Sequence, residues 1–452
     1  MTKVLVLFYQ YSFNGNDKNI FCYYESFAKE LVKYGNEVMM VNLASYKKDY
    51  WDYTLLNENY LNEKIKNFNP DIIFTYNNQI YKNIFNITNC PVLIFDADSS
   101  CLFPCKDFIQ KYQDRYYMIT HYENWENNYE EFGILKDRIC SIHLATAIEN
   151  EKIEKDKNIS FIGTKFTPII PEELIDYIKN NNQSIYDALK EFWQTGIYDY
   201  EYLIKKHCPN SNFNKTILHN IFDSRNYVLS SVLDLGLELY GELWNEYPDP
   251  NIPLFSAFNN EPKFSLKHNQ DLYNSSKICL SISHPQTKGF AFPWRVYDIM
   301  ASNSVLVTSE SKLLKQQTDG FVDLPMYSSP FDVREMCKKL LLEPNLRDDI
   351  TEASNKFIEA KGRWKDNFEK IESFVNIKLL NEEKQNSNIS DSIQIVLNKK
   401  RNYFYKLEAY LASKKKRLAC LFKFILSEFP IVELFYPAKK RNKLYRKISK
   451  LK

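Results

Sequence analysis

Arg295 and Asp298 stand one helical turn apart in "KGFAFPWRVYDIMASNSVLVTSE" (288–310), beside an apolar stripe of Val296, Ile299 and Met300. Pro293 suits a first helical position, because its φ is pre-set and its missing N–H would be unpaired anyway. The loop before it holds Gly289 and Phe290, and the glycine lets backbone come close to a ligand. A cation in a first helical turn opposes the helix dipole. A bound anion would remove that small penalty, and N-terminal N–H groups attract phosphate. A carboxylate one turn further is suited to accept the two hydroxyls of a ribose. The stretch thus reads as a pocket for a sugar nucleotide, with diphosphate at Arg295 and ribose at Asp298. Asn303 is expected to end the helix in the left-handed conformation common at that position. The plain alternative is a surface pair that stabilises the helix only slightly.

A second group lies upstream. "VLIFDADSS" ends an apolar run with Asp96 and Asp98, and His121 follows the run "YYMIT". Two carboxylates in D-x-D spacing can hold Mg²⁺ or Mn²⁺ through hard oxygen ligands. One of them could instead take the proton of an attacking hydroxyl, with His121 as the rival base.

The elements that must position these residues follow from hydrophobic periodicity. "KVLVLF", "EVMMVN", "PDIIFTYNN", "CPVLIFDADSS", "YYMIT" and "RICSIHLA" are short apolar runs alternating with helical patterns, which predicts a parallel sheet covered on both faces. Residues 1–150 therefore form one Rossmann-like domain. No G-x-G-x-x-G follows its first strand, so a nicotinamide dinucleotide is not expected there. A second α/β domain over 159–380 starts at "ISFIGT", with a helical insertion near 171–235. Residues 383–398 read as a linker and 399–452 as a basic tail.

Composition narrows the class. Of 59 Lys/Arg, 17 fall in residues 399–452 with 3 of the 57 Asp/Glu, which leaves a body of net charge −12. Such a body does not suit nucleic acid, whereas the tail suits an anionic surface. The tail's apolar run is interrupted by Lys423, Glu428, Pro430 and Glu433, so it reads as an amphipathic interfacial segment and not a span. Nine scattered cysteines without a C-x-x-C pair point to a reducing compartment and to no structural zinc. No signal-type leader and no 18-residue apolar stretch occur, so a cytoplasmic protein is expected, with the tail suited to a peripheral place at the inner face of a membrane.

"LYNSSKICLSISHPQTKGFAFPWRVYDIMASNSVLVTSE", with "FIGT" and "SRNYVLSSVLDLGLELYGELW" upstream, resembles the C-terminal signature of the spore-maturation, CgeB-like glycosyltransferases, with a glycosyltransferase group 1-like C-terminal domain. The likeness covers roughly 159–370. Asn303 stands where the family usually has glycine, and Asp298 where relatives of the broader class often have glutamate. The resemblance implies a GT-B fold, two facing Rossmann-like domains with the donor in the C-terminal one. It implies that Gly163 and Thr164 border the pyrophosphate and that Arg225 faces the cleft. It places Tyr240 and Gly241 by the nucleobase, and Tyr273, Ser283 and His284 along the donor pocket. The implied activity is transfer of a sugar from a nucleotide-diphosphate donor to a hydroxyl of a glycan, a lipid-linked acceptor or a cell-surface polymer, with no metal and no other cofactor required. The alternatives are a metal-dependent GT-A transferase using Asp96 and Asp98, and a non-catalytic sugar-nucleotide-binding protein.

Overall fold

The computed structural model describes residues 1–10, 20–47, 54–97, 103–121, 133–163, 178–195, 200–210, 214, 225–241, 253–259, 265–283, 291–381 and 392–398. Asp98, Thr164, His284, Gly289, Phe290 and the basic tail lie outside the described residues, while the region expected to be a helical insertion carries the helices Gln183–Thr195, Tyr200–His207 and Arg225–Ser230.

Two parallel sheets of Rossmann type are present, as expected for the α/β class. The first takes the apolar runs of the N-terminal third as β1 (Lys3–Phe8), β2 (Glu37–Asn42), β3 (Ile72–Tyr76), β4 (Val92–Phe95), β5 (Tyr116–Thr120) and β6 (Ile139–Ser141). Every residue of β3 and β4 is buried, which is why these strands read as continuous apolar runs and not as alternation. The second sheet comprises β7 (Lys157–Ile162), β8 (Leu237–Tyr240), β9 (Ser276–Ser281), β10 (Val305–Ser309) and β11 (Met326–Tyr327). Its order is β11-β10-β9-β7-β8, all parallel. Its first strand, β7, therefore lies between β8 on one side and β9 on the other. The strand order reverses at that point, and the crevice beyond the carboxyl ends of such strands is where open α/β sheets hold ligands.

Two expectations change. Within the stretch read as a linker, Ile393–Val396 forms a strand, β12, that pairs parallel with β2 from Val38 to Val41. The first sheet thus has seven strands in the order β12-β2-β1-β3-β4-β5-β6. The chain expected to stay with the second domain to 380 also returns to the first. Trp364, Phe368, Ile371, Val375 and Leu379 bury against Val4, Val6, Phe27, Phe74 and Leu93. An amphipathic helix declares that it has an apolar face but not which sheet that face will meet. Each large side chain so buried is worth about 1.5–3 kcal/mol, so the returning helix binds the two domains firmly. Further ties are the Trp364 indole N–H donating to Ser26 Oγ at 3.1 Å and the Leu266 N–H donating to Glu25 Oε2 at 2.7 Å.

Candidate functional site

The carboxyl end of β7 carries Gly163, and its N–H donates to the Tyr240 carbonyl at 3.0 Å, which joins it to the end of β8. Gly241 follows with φ +118, and a Cβ there would fall on the Gly163 carbonyl, 2.8 Å from its carbon. Only glycine fits that conformation and that approach. A Cβ on Gly163 would in turn lie 2.8 Å from Arg295 Nη1. Gly163 thus leaves room for the tip of that arginine.

Two guanidinium groups converge here. Arg225 begins the helix Arg225–Ser230 and Arg295 begins the helix Arg295–Met300. Their Cζ atoms lie over one ring, that of Phe161 in β7, at 5.2 and 5.5 Å from its centroid. Cation–π attraction explains the placement. Arg225 is 6% exposed and donates from Nη2 to the Ile282 carbonyl just beyond β9 at 3.2 Å. Arg295 Nη1 is buried with no hydrogen-bond partner among the described residues. Burial, and next the positive charge of Arg295, push the pKa of Arg225 well down. Burial lowers that of Arg295 too, while Tyr273 and Asp298 act in the opposite sense. A guanidinium stays protonated in a protein. Bringing two guanidinium groups together in a buried place costs desolvation and mutual repulsion. Nearby, Ser283 donates its N–H to Ser309 Oγ at 3.0 Å, and its own hydroxyl is buried without a partner among the described residues.

Asp298 is placed differently from the sequence expectation. It is 4% exposed. Its Oδ1 accepts from Thr146 Oγ1 at 2.5 Å and its Oδ2 from Cys22 Sγ at 3.7 Å. Both partners belong to the first half of the chain, so this carboxylate faces the junction between the domains and not an open ribose pocket. Burial raises its pKa to about 6, against the lowering effects of the Thr146 and Cys22 hydrogen bonds and of Arg295 and Arg363. The helix itself has six residues and supplies little dipole. Asn303 is not left-handed. Its N–H donates to Asn274 Oδ1 at 2.8 Å, a side-chain partner that removes the need for that conformation.

The two tyrosines are core residues. Tyr240 is 1% exposed and its hydroxyl donates to Glu238 Oε2. Tyr273 is 2% exposed and donates to Asn269 Oδ1 at 3.0 Å. The Tyr240 carbonyl accepts the Gly163 N–H, and Tyr273 lies within electrostatic reach of Asp298 and Arg295.

At the carboxyl edge of the first sheet, Asp96 follows β4 and His121 follows β5. Asp96 is fully buried, accepts from Thr120 Oγ1 at 2.8 Å and faces His121 Nδ1 at 3.7 Å. A metal reading would need the carboxylate turned outward, away from Thr120 and His121. At 3.7 Å the carboxylate lies beside the imidazole, beyond hydrogen-bond distance of Nδ1. Asn77 and Asn78, at φ 51 and 54, form the neighbouring turn, and Asn77 Oδ1 accepts the Ala97 N–H at 2.8 Å. Asparagine is among the few residues that adopt this conformation readily. Among the described residues no group of three His, Cys, Asp or Glu is arranged to hold a metal, and no helix is long and apolar enough to cross a membrane.

Sequence reasoning missed Phe161, Thr146 and Cys22. Phe161 sat in plain view two residues before Gly163, but nothing in a strand marks one aromatic ring as a platform for cations.

Residues 225–373 match the family model described as Glycosyl transferase-like. The match begins at Arg225 and includes Arg295 and Asp298. No curated protein matches the chain. Among solved structures the chain is similar to Anabaena HepE in complex with UDP and glucose, at 10% identity over 83% of this chain and 100% of that one, TM-score 0.44. Sucrose-phosphate synthase from Thermosynechococcus elongatus gives 8% identity over 82% and 98%, TM-score 0.47. A T4 phage BGT mutant in complex with UDP-glucose gives 10% over 83% and 100%, TM-score 0.46. These superpositions are loose, and the site rests on its own geometry.

Proposed function

We propose that the protein is a GT-B glycosyltransferase, within or near the spore-maturation-like group, that moves a sugar from a nucleoside diphosphate to a hydroxyl. The observation that carries this reading is the pair of buried guanidinium groups on Phe161. They stand at the switch point of the second sheet, beside the Gly163–Gly241 backbone and inside the span matched by the Glycosyl transferase-like family. A diphosphate is complementary in charge to these groups, and a bare backbone lets it approach closely.

In this account the acceptor oxygen attacks C1 of the donor sugar and its proton passes to a base. The bond from C1 to the diphosphate oxygen breaks, and the nucleoside diphosphate leaves with the bonding pair. Arg225 and Arg295 stabilise the charge that develops on the leaving group, in a site already organised for it. They would take the neutralising part that a divalent cation takes elsewhere, so no metal is required. His121 is the base, with Asp96 beside it, and the fit of donor to acceptor across the two sheets supplies proximity. The acceptor is a glycan, a lipid-linked saccharide or a surface polymer. The basic segment 399–452 would hold the enzyme, in the cytoplasm, to the anionic face of a membrane.

Thermal unfolding in the presence of UDP, GDP, CDP, ADP and dTDP tests the reading. One of them at a hundred times its Kd should add about 2.7 kcal/mol. A flat response to all five contradicts it.

A further inference from the structure

The chain passes from the first domain to the second through residues 142–148, and the far side grips that connector. The Trp294 indole N–H donates to the Ala145 carbonyl at 2.7 Å. Arg363 Nη1 donates to the Thr146 and Ile148 carbonyls at 3.3 and 2.6 Å. The Thr146 N–H donates to the Gly362 carbonyl at 3.0 Å. These contacts hold backbone. The Thr146 hydroxyl is different, because it accepts the Ile148 N–H at 3.0 Å and donates to Asp298 Oδ1 at 2.5 Å. It thereby links the connector to the short helix that carries Arg295.

We propose that Asp298 is a positioning residue that ties the diphosphate-binding helix to the interdomain connector, so that an anion at Arg295 tightens the relation between the two domains. The inference rests on reading Arg295 as a donor contact. The helix is six residues long, so a shift of its backbone toward a ligand at Arg295 also moves Asp298, one turn away. To serve a ribose instead, the carboxylate would have to give up Thr146 and Cys22 and leave a buried hydroxyl without its acceptor.

The test combines hydrogen exchange of the 142–148 peptide with calorimetry. Both are run with and without UDP, or whichever of the five diphosphates stabilises the protein most. The full-length chain is compared with Asp298→Ala, Thr146→Val and Thr146→Ser. Without nucleotide, exchange in the connector should be about ten- to a hundredfold faster in Thr146→Val and Asp298→Ala, since a charge-assisted hydrogen bond is lost. Thr146→Ser keeps the hydroxyl and should match the parent. Nucleotide should slow exchange in the parent and in Thr146→Ser but not in Thr146→Val, whose nucleotide affinity should stay within about threefold. A merely structural role for Thr146 would not remove the nucleotide-dependent part. Unchanged exchange in Thr146→Val overturns the tie, as does a tenfold affinity loss confined to Asp298→Ala, which would mark a ribose contact. If no diphosphate binds the parent, the proposed function fails, and the nucleotide-free comparison alone upholds or overturns the tie.

Discussion

Replacing Asp298 with asparagine should change how stability depends on pH, with a sign fixed by the structure. Burial raises the folded-state pKa of Asp298 to about 6, whereas an unfolded chain gives about 3.9. Between those values the folded protein binds the proton and the unfolded chain does not. Stability from this group is therefore complete below about pH 4 and is lost as pH rises through about 6. A shift of about two units corresponds to about 3 kcal/mol. Asparagine cannot ionise, so the difference in unfolding free energy between the parent and Asp298→Asn should move by about 2 kcal/mol from pH 4 to pH 7, with the variant gaining relative to the parent. Urea unfolding at half-unit steps, followed by tryptophan fluorescence, measures it. Other carboxylates titrate equally in both proteins and cancel in the difference. A difference that stays flat would refute the buried placement of Asp298. A slope of the opposite sign would mean that Arg295 or Arg363 dominates as an ion-pair partner and holds the folded pKa below the ordinary value.

Further outcomes follow from the same geometry. Gly163→Ala puts a methyl 2.8 Å from Arg295 Nη1. A flexible side-chain tip can yield, so the fold should survive while nucleotide affinity falls roughly tenfold, and an unchanged Kd would argue against this placement of the anion. Gly241→Ala meets backbone at φ +118 and should destabilise the protein by about 1–3 kcal/mol or more, read as a lower unfolding midpoint. His121→Gln should cut turnover of the donor by about 10²–10⁴ with nucleotide affinity intact, and Asp96→Asn should cut it less. Equal affinity and equal turnover in both would remove them from the mechanism. Co-sedimentation with phosphatidylserine vesicles should be lost on truncation to 1–398. That end point keeps β12 in its sheet, and equal binding by both chains would dismiss the lipid role.

Much of the fold was legible because its strands are buried on both faces and so appear as unbroken apolar runs, as in "KVLVLF" and "IIFTY". What stayed hidden was short or distant. The four residues of β12 include an exposed Gln394 and Ile395, and its backbone hydrogen bonds to β2 leave no periodic trace. The helix Trp364–Val375 shows an apolar face, yet its choice of the first sheet depends on where the chain can return. In the site, Arg295 is marked in the sequence as a cation in the wrong turn of a helix, and the structure buries its guanidinium against the ring of Phe161. A ribose role for Asp298 requires an open pocket. Its real partners are 152 and 276 residues away in sequence, and no local pattern encodes a pairing at that range.

The central claim is that Arg225 and Arg295 together bind the diphosphate of a sugar nucleotide. Calorimetry of the best-binding nucleoside diphosphate with the parent, Arg225→Met, Arg295→Met and the double variant tests it most directly, in buffer with and without EDTA. Each single change should weaken binding by about 1.5–3 kcal/mol, roughly ten- to a hundredfold. The double change should abolish measurable binding, and EDTA should alter nothing. A double variant that binds as tightly as the parent, or binding that vanishes with EDTA alone, would contradict the account.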